Sequence, residues 1–169
     1  MRRIGVAIFK KMKWTEGKID GVVIRPAKRN SDARGWLSEI YRSDDITEDI
    51  MPAMGYVSLT HPGVTRGPHE HHEQTDTFGF IGPGNYLLKL WDNRKNSATY
   101  GRTWSIVAGE SEPIIAIIPP GIVHGYTNVS KVDGLVLNFP NRLYAGPGRR
   151  QPVDEVRYEN AKETDFAMA

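Results

Sequence analysis

Nine short runs rich in β-branched and aromatic residues, each cut off by glycine, proline or a polar turn, leave this chain little choice of fold class. They fall at 21–25, 36–41, 55–61, 77–81, 86–91, 103–107, 113–118, 122–127 and 134–139. Spacing of this kind, with almost no 3.6-residue periodicity, predicts an all-β sandwich or barrel. Gly82-Pro83-Gly84-Asn85 is a strong turn signal between two of the runs. Residues 43–51 predict at most one helical turn, with Ser43 as cap and acids just inside it. Residues 1–20 read as a strand or arm, and the polar stretch 145–169 as loop with one short helix. No repeat or long linker divides the chain, so 1–169 is expected to be a single domain.

A length of 169 residues suits one domain with a real core, and 39% apolar residues is far above the share of a disordered chain. The absence of cysteine excludes disulfides and thiolate metal sites. The apolar run 4–9 is shorter than the ~7–15 residues of a signal peptide, and nothing approaches the ~20 of a membrane-spanning helix. A soluble, cytoplasmic protein is expected, without membrane association. A net charge of +2 gives no reason to expect nucleic acid. Residues 1–42, however, carry eleven Lys/Arg against four acids, a local excess of +7. That lobe suits an anionic small molecule such as a nucleotide diphosphate, or is a solvated face balanced by the acidic C-terminal part.

The chemistry concentrates in residues 62–74, PGVTRGPHEHHEQ, which hold Arg66, His69, His71 and His72. If the segment is extended, His69 and His71 point one way and Glu70 and His72 the other. A further histidine, His124, lies in PPGIVHGYTN. The second segment fits P-x-G-x-x-H-x-x-x-N, the second signature of the cupin jelly rolls. The first, with Gly63, His69 and His71, resembles the opening of the first signature, G-x5-H-x-H. The pair predicts a cupin-like double-stranded β-helix with both histidine segments facing one cavity. One reading of the pair is a metal cupin, with His69, His71, His124 and either Asp76 or Glu73 as ligands.

A narrower resemblance covers residues 21–144. SDARGWLSEIYR matches D-x-R-G-x-x-x-E, PGVTRGPH matches G-V-x-R-G-x-H, and IPPGIVHGY matches I-P-x-G-x-x-H-G-F/Y. Together with the segment SATYGRTW that follows Trp91-Asp92-Asn93-Arg94, these pieces resemble the dTDP-4-dehydrorhamnose 3,5-epimerase family of sugar-nucleotide enzymes. The resemblance implies a dimeric jelly roll without metal or other cofactor. It implies epimerisation of a 4-keto-6-deoxyhexose carried on a nucleoside diphosphate, in deoxysugar biosynthesis. By position it makes His69 the general base. Arg34, Glu39 and Arg66 become contacts to sugar and diphosphate, with Arg34 reaching across a dimer interface, and His124 lines the same cavity. His71, Tyr126, Asn138 and Tyr144 complete the expected substrate contacts. Arg66 is also expected to stabilise an enolate and to lower the pKa of His69.

The sequence departs from the family at three proton-handling positions. The lysine expected after the base is missing from Gln74-Thr75-Asp76-Thr77-Phe78. Asn138 stands near the expected tyrosine, and Tyr158-Glu159-Asn160-Ala161 where an aspartate should orient the base. Tyr126, Tyr144, Asp154 and Glu159 are the candidates to substitute. Single epimerisation, a 3,4-ketoisomerisation and a non-catalytic nucleotide-sugar binding module are the other readings compatible with these changes.

Overall fold

The structure, a computed structural model, describes residues 12–161 and 163–168. Most of the expected N-terminal arm therefore lies outside the described residues. Two sheets face each other. The six-stranded sheet runs β1 (Thr15–Glu16), β9 (Arg102–Gly109), β8 (Asn85–Asp92), β11 (Ile122–Asn128), β6 (Thr65–Glu70), β13 (Val156–Arg157). The five-stranded sheet runs β2 (Val23–Pro26), β10 (Ile114–Ile118), β7 (Asp76–Phe80), β12 (Gly134–Asn138), β5 (Tyr56–Thr60). A separate hairpin pairs β3 (Asn30–Asp32) with β4 (Gly35–Leu37). Apart from β8 and β9, neighbours in the two main sheets are not consecutive in sequence, and all their pairs except β1–β9 are antiparallel. This is the expected all-β jelly roll.

Alternation within strands builds the core. Tyr86, Leu88 and Leu90 of β8 point inward and are fully buried, opposite Phe78 and Phe80 of β7 and Ala116 and Ile118 of β10. Tyr126 lies edge-on to Phe80 and Tyr86, with ring centroids 5.4 and 5.5 Å away, and fills one end of this layer. A smaller cluster of Trp91, Val123 and Phe166 packs the C-terminal segment onto the outside of the six-stranded sheet.

The differences from expectation are local. The run 36–41 is strand only as far as Leu37, because the hairpin it belongs to is exposed and joins neither main sheet. The helical turn at 43–51 is a single 3-10 turn, Glu48–Ile50, that follows Thr47 and has no side-chain cap. The tail contains a 3-10 turn, Pro147–Arg149, and also β13, which the polar sequence concealed. Two residues suffice for β13 because they add to the edge of an existing strand, β6.

Asp92 continues the inward face of β8 into a polar corner. It is fully buried and accepts hydrogen bonds from Arg94 Nε (2.8 Å), Ser97 Oγ (2.6 Å) and Thr99 Oγ1 (2.5 Å). Burial pushes its pKa up, but Arg94, Ser97 and Thr99 outweigh this and hold it at about 2. A depressed carboxylate stabilises the fold above its unfolded pKa, and the contribution is lost as pH falls from about 4 through about 2. Asp92→Asn is expected to cost about 2–3 kcal/mol at neutral pH in urea unfolding and to flatten the acid limb of the stability profile. An unchanged profile would remove Asp92 from the folding balance.

Candidate active site

The geometry of the site starts from a bulge in β6. His69 lies opposite His124 and Arg66 opposite Tyr126, so Gly67 and Pro68 together face the single residue Gly125. Gly67 has φ +80, and a Cβ there would stand 2.7 Å from the His124 carbonyl oxygen. Only glycine lets β6 and β11 approach this closely. The approach brings the rings of His69 and His124 together, edge to face, with centroids 4.4 Å apart.

His71, one residue past the end of β6, joins them at 5.4 Å from His69 and 5.9 Å from His124. Asp76, the first residue of β7, enters from the facing sheet. One ligand atom from each of His69, His71, Asp76 and His124 lies within 4.8 Å of all the others. The alternation expected of the segment holds: Glu70 turns the other way, to Asn93 Nδ2 (3.1 Å) and the Tyr158 hydroxyl (2.5 Å), and His72 is exposed.

Buried partners orient each member. Asp76 Oδ1 accepts from Asn138 Nδ2 (2.8 Å) and Gln74 Nε2 (2.9 Å). Asp76 Oδ2 lies 3.2 Å from His71 Nε2 and 3.3 Å from His124 Nε2. His124 Nδ1 is hydrogen-bonded to the Ile122 carbonyl (2.9 Å), and His71 Nδ1 to the Asp154 carbonyl. The Asp154 carboxylate accepts the backbone N–H groups of His72, Glu73 and Gln74, which fixes the turn carrying His71. Its role is therefore to shape the loop.

Electrostatics follow from this packing. Burial drives the pKa of His69 down, and the neighbouring His124 and His71 rings push it further, to about 2. The sequence reading gave this effect to Arg66. Arg66 is instead tied to β5, through Nε to Thr60 Oγ1 (2.9 Å) and its terminal nitrogen to the Leu59 carbonyl (2.8 Å). Burial alone would raise the pKa of Asp76, but His124 and His71 against it hold the carboxylate well below the usual range. For His71 burial works against protonation, and the Asp76 carboxylate more than compensates, raising its pKa.

An open cleft of about 920 Å³ lies over the cluster. His69, His71, Arg66, Tyr56 and Tyr126 line its floor, and Tyr144, Arg149 and Glu155 its C-terminal wall. Of the residues expected at the site, Arg66, His69, His71, Tyr126 and Tyr144 line this cleft. His124 and Asn138 stand behind it, 2% and 1% exposed. Arg34 lies elsewhere in the chain: it is exposed in the β3–β4 hairpin and paired with Asp32 at 2.5 Å. Glu39 lines a separate small hollow with Arg25, Lys28 and Arg42. Of the basic residues in 1–42 that are described, Arg29 bonds the Ile81 carbonyl (2.6 Å) and stacks on Trp36 at 4.7 Å, away from this cleft.

Three residues escaped the sequence reading. Glu155, just before β13, has Oε1 4.0 Å from His69 Nε2, whereas the carboxylates that the sequence offers are Asp154 and Glu159. The Tyr56 hydroxyl, on the neighbouring strand β5, accepts from Asn138 Nδ2 at 2.9 Å and so lies beside the residue that stands near the expected tyrosine. Arg149 lines the cleft with no carboxylate partner among the described residues. The period-2 pattern could have flagged Tyr56, but nothing in the tail sequence marks Glu155 or Arg149.

Two facing sheets with histidines from both signatures gathered under one cleft define a jelly-roll protein of the cupin class. The family model described as dTDP-4-dehydrorhamnose 3,5-epimerase matches residues 16–147, and the chain belongs to that family. It is 36% identical over 127 residues to a probable low-salt glycan biosynthesis epimerase of Haloferax volcanii, covering 75% of this chain and 81% of the relative. Among solved structures, a dTDP sugar isomerase from Desulfovibrio desulfuricans superposes with a TM-score of 0.73 at 20% identity, over 85% of this chain and 87% of the other. A dTDP-6-deoxy-D-glucose-3,5-epimerase from Legionella pneumophila, solved with dTDP-4-keto-L-rhamnose, gives 0.69 at 21% identity over 89% and 79%. No helix among the described residues is long and apolar enough to cross a membrane.

Proposed function

We propose that this protein epimerises a 4-keto-6-deoxyhexose carried on a nucleoside diphosphate, by exchanging a proton on a carbon next to the ketone. The observation that carries the reading is a neutral imidazole, His69, on the floor of an open cleft in a member of this family. An imidazole this buried accepts a proton only if the resulting charge is met. Glu155 is the group placed to meet it, 4.0 Å from Nε2. It stands in for the family aspartate that orients the base. Tyr56, whose pKa burial raises to about 12, stays protonated and is our candidate for the donor on the opposite face. Asn138 positions that hydroxyl and does not itself need to touch substrate.

Arg149 and Arg66, which both line the cleft, supply the positive charge for the diphosphate. Arg34 and Glu39 can serve the site only from a second copy of the chain, which is why we propose a homodimer. Arg34→Ala is then expected to weaken nucleotide-sugar binding about tenfold, more at low salt. Unaltered affinity by titration calorimetry, or a monomer in sedimentation at micromolar concentration, would remove Arg34 from the site.

The direct test incubates the protein with several nucleoside-diphosphate 4-keto-6-deoxyhexoses in D₂O. Deuterium is expected at the carbon beside the ketone, C3 or C5, in at least one of them. Binding without any deuterium incorporation would make the chain a sugar-nucleotide binding module.

A further inference from the structure

The cluster behind His69 is richer in lone pairs than proton transfer requires. A backbone carbonyl can only accept, so the contacts of His71 Nδ1 and His124 Nδ1 with the carbonyls of Asp154 and Ile122 place a proton on each Nδ1. A metal ion would displace the second proton that Asp76 favours on His71, and both Nε2 atoms would then present lone pairs. Gln74 Nε2 lies 3.2 Å from His71 Nε2 and 2.9 Å from Asp76 Oδ1, so the amide can stay on Asp76 when a metal takes the His71 lone pair. Both lone pairs face the same carboxylate oxygen, Asp76 Oδ2, at 3.2 and 3.3 Å. Neither approach has hydrogen-bond geometry, and Asp76 Oδ2 and His124 Nε2 are buried without a hydrogen-bond partner. Buried acceptors that converge without hydrogen-bond partners are costly, and a cation satisfies them together.

The spacing identifies the kind of cation. In a tetrahedral site with metal–ligand bonds of about 2.0–2.1 Å, neighbouring donor atoms are about 3.3 Å apart. The two spacings at Asp76 Oδ2 match that edge. Carbonyl groups on the remote imidazole N–H are the usual outer partners of metal-bound histidine, and Asn138 and Gln74 hold the free oxygen of Asp76 in the same way. His69 differs. Its nitrogen has no carbonyl partner among the described residues, and Nε2 faces Glu155.

We propose that His71 Nε2, His124 Nε2 and Asp76 Oδ2 bind one divalent transition-metal ion of the zinc type, with its fourth position open toward the cleft and His69. The site goes beyond the epimerase reading and does not depend on it. In that setting the ion would supply Lewis-acid stabilisation to an enolate oxygen, while His69 keeps the proton-accepting role.

The test uses full-length, tag-free protein purified without chelator. Elemental analysis is expected to find about one equivalent of metal per chain, falling to under about a tenth in His71→Ala and Asp76→Asn and unchanged in the surface control His61→Ala. Folding of each variant is followed by circular dichroism. In case a variant misfolds, wild-type protein is also stripped with EDTA and titrated with Co²⁺. The visible bands of tetrahedral cobalt and a rise in Tm are expected. Stripped protein that shows neither, together with substoichiometric metal as purified, overturns the site. Loss of metal in His69→Ala overturns the three-ligand assignment. Deuterium exchange by metal-free protein would leave the epimerase reading standing without the metal, and metal-loaded protein without exchange would do the reverse.

Discussion

His69→Ala is expected to lower the rate of solvent-deuterium incorporation by about 10²–10⁴-fold while leaving nucleotide-sugar affinity within about twofold of wild type. The split between the two readouts follows from position. His69 lies on the floor of the cleft, where we propose that the reacting part of the sugar sits, whereas Arg149 lines its C-terminal wall. A base acts mainly in the transition state, so its loss appears in turnover more than in binding. Glu155→Gln is expected to produce a smaller loss of the same kind, since it leaves the imidazole in place and removes only the charge that meets its protonated form. Wild-type exchange in His69→Ala, measured by proton NMR, would move the base to another residue and take the epimerase mechanism with it.

Tyr56→Phe is expected to separate exchange from inversion. The hydroxyl is held by Asn138 on the strand beside it, and its pKa of about 12 makes it a proton donor and not a base. Without it, His69 can still remove and return a proton on its own face, so deuterium still enters the sugar. Delivery to the opposite face is what disappears, and formation of the epimer is expected to fall about 10²-fold. Asn138→Ala is expected to give a partial form of the same defect, because the hydroxyl remains but loses its fixed direction. If Tyr56→Phe slowed exchange and inversion equally, Tyr56 would be placing the substrate and another group would be the donor.

Much of the fold was legible because strand pairing and turn chemistry are local properties. The alternation Tyr86, Leu88, Leu90 marks an inward face wherever the strand ends up, and Gly82-Pro83-Gly84 ends one strand and starts the next in any jelly roll. The same locality explains what went unread. Residues 36–41 have the composition of a strand, yet whether they extend a sheet depends on which edge is free. Val156-Arg157 has almost no strand signal and pairs only because β6 presents an unpaired edge to it.

For the site, the sequence by itself determined the residue types and one relation between them: His69 and His71 share a face because side chains alternate in an extended chain. It also determined, through the two signatures, that His124 should meet them. Tertiary structure decided the rest. The sequence offers Asp76 only as an alternative to Glu73 beside the histidines, in the stretch where a lysine is expected, and the packing of the two sheets is what makes it the anion between two imidazoles. Asn138 looked like a lost tyrosine until the pairing of β12 with β5 placed Tyr56 beside it. Glu155 came to His69 from 86 positions away along the chain, on a segment whose sequence records no pairing preference. The physical reason is common to all three. A side chain's chemistry is set by its covalent structure, but its charge state and its partners are set by burial and by neighbours that the chain supplies only after it has folded.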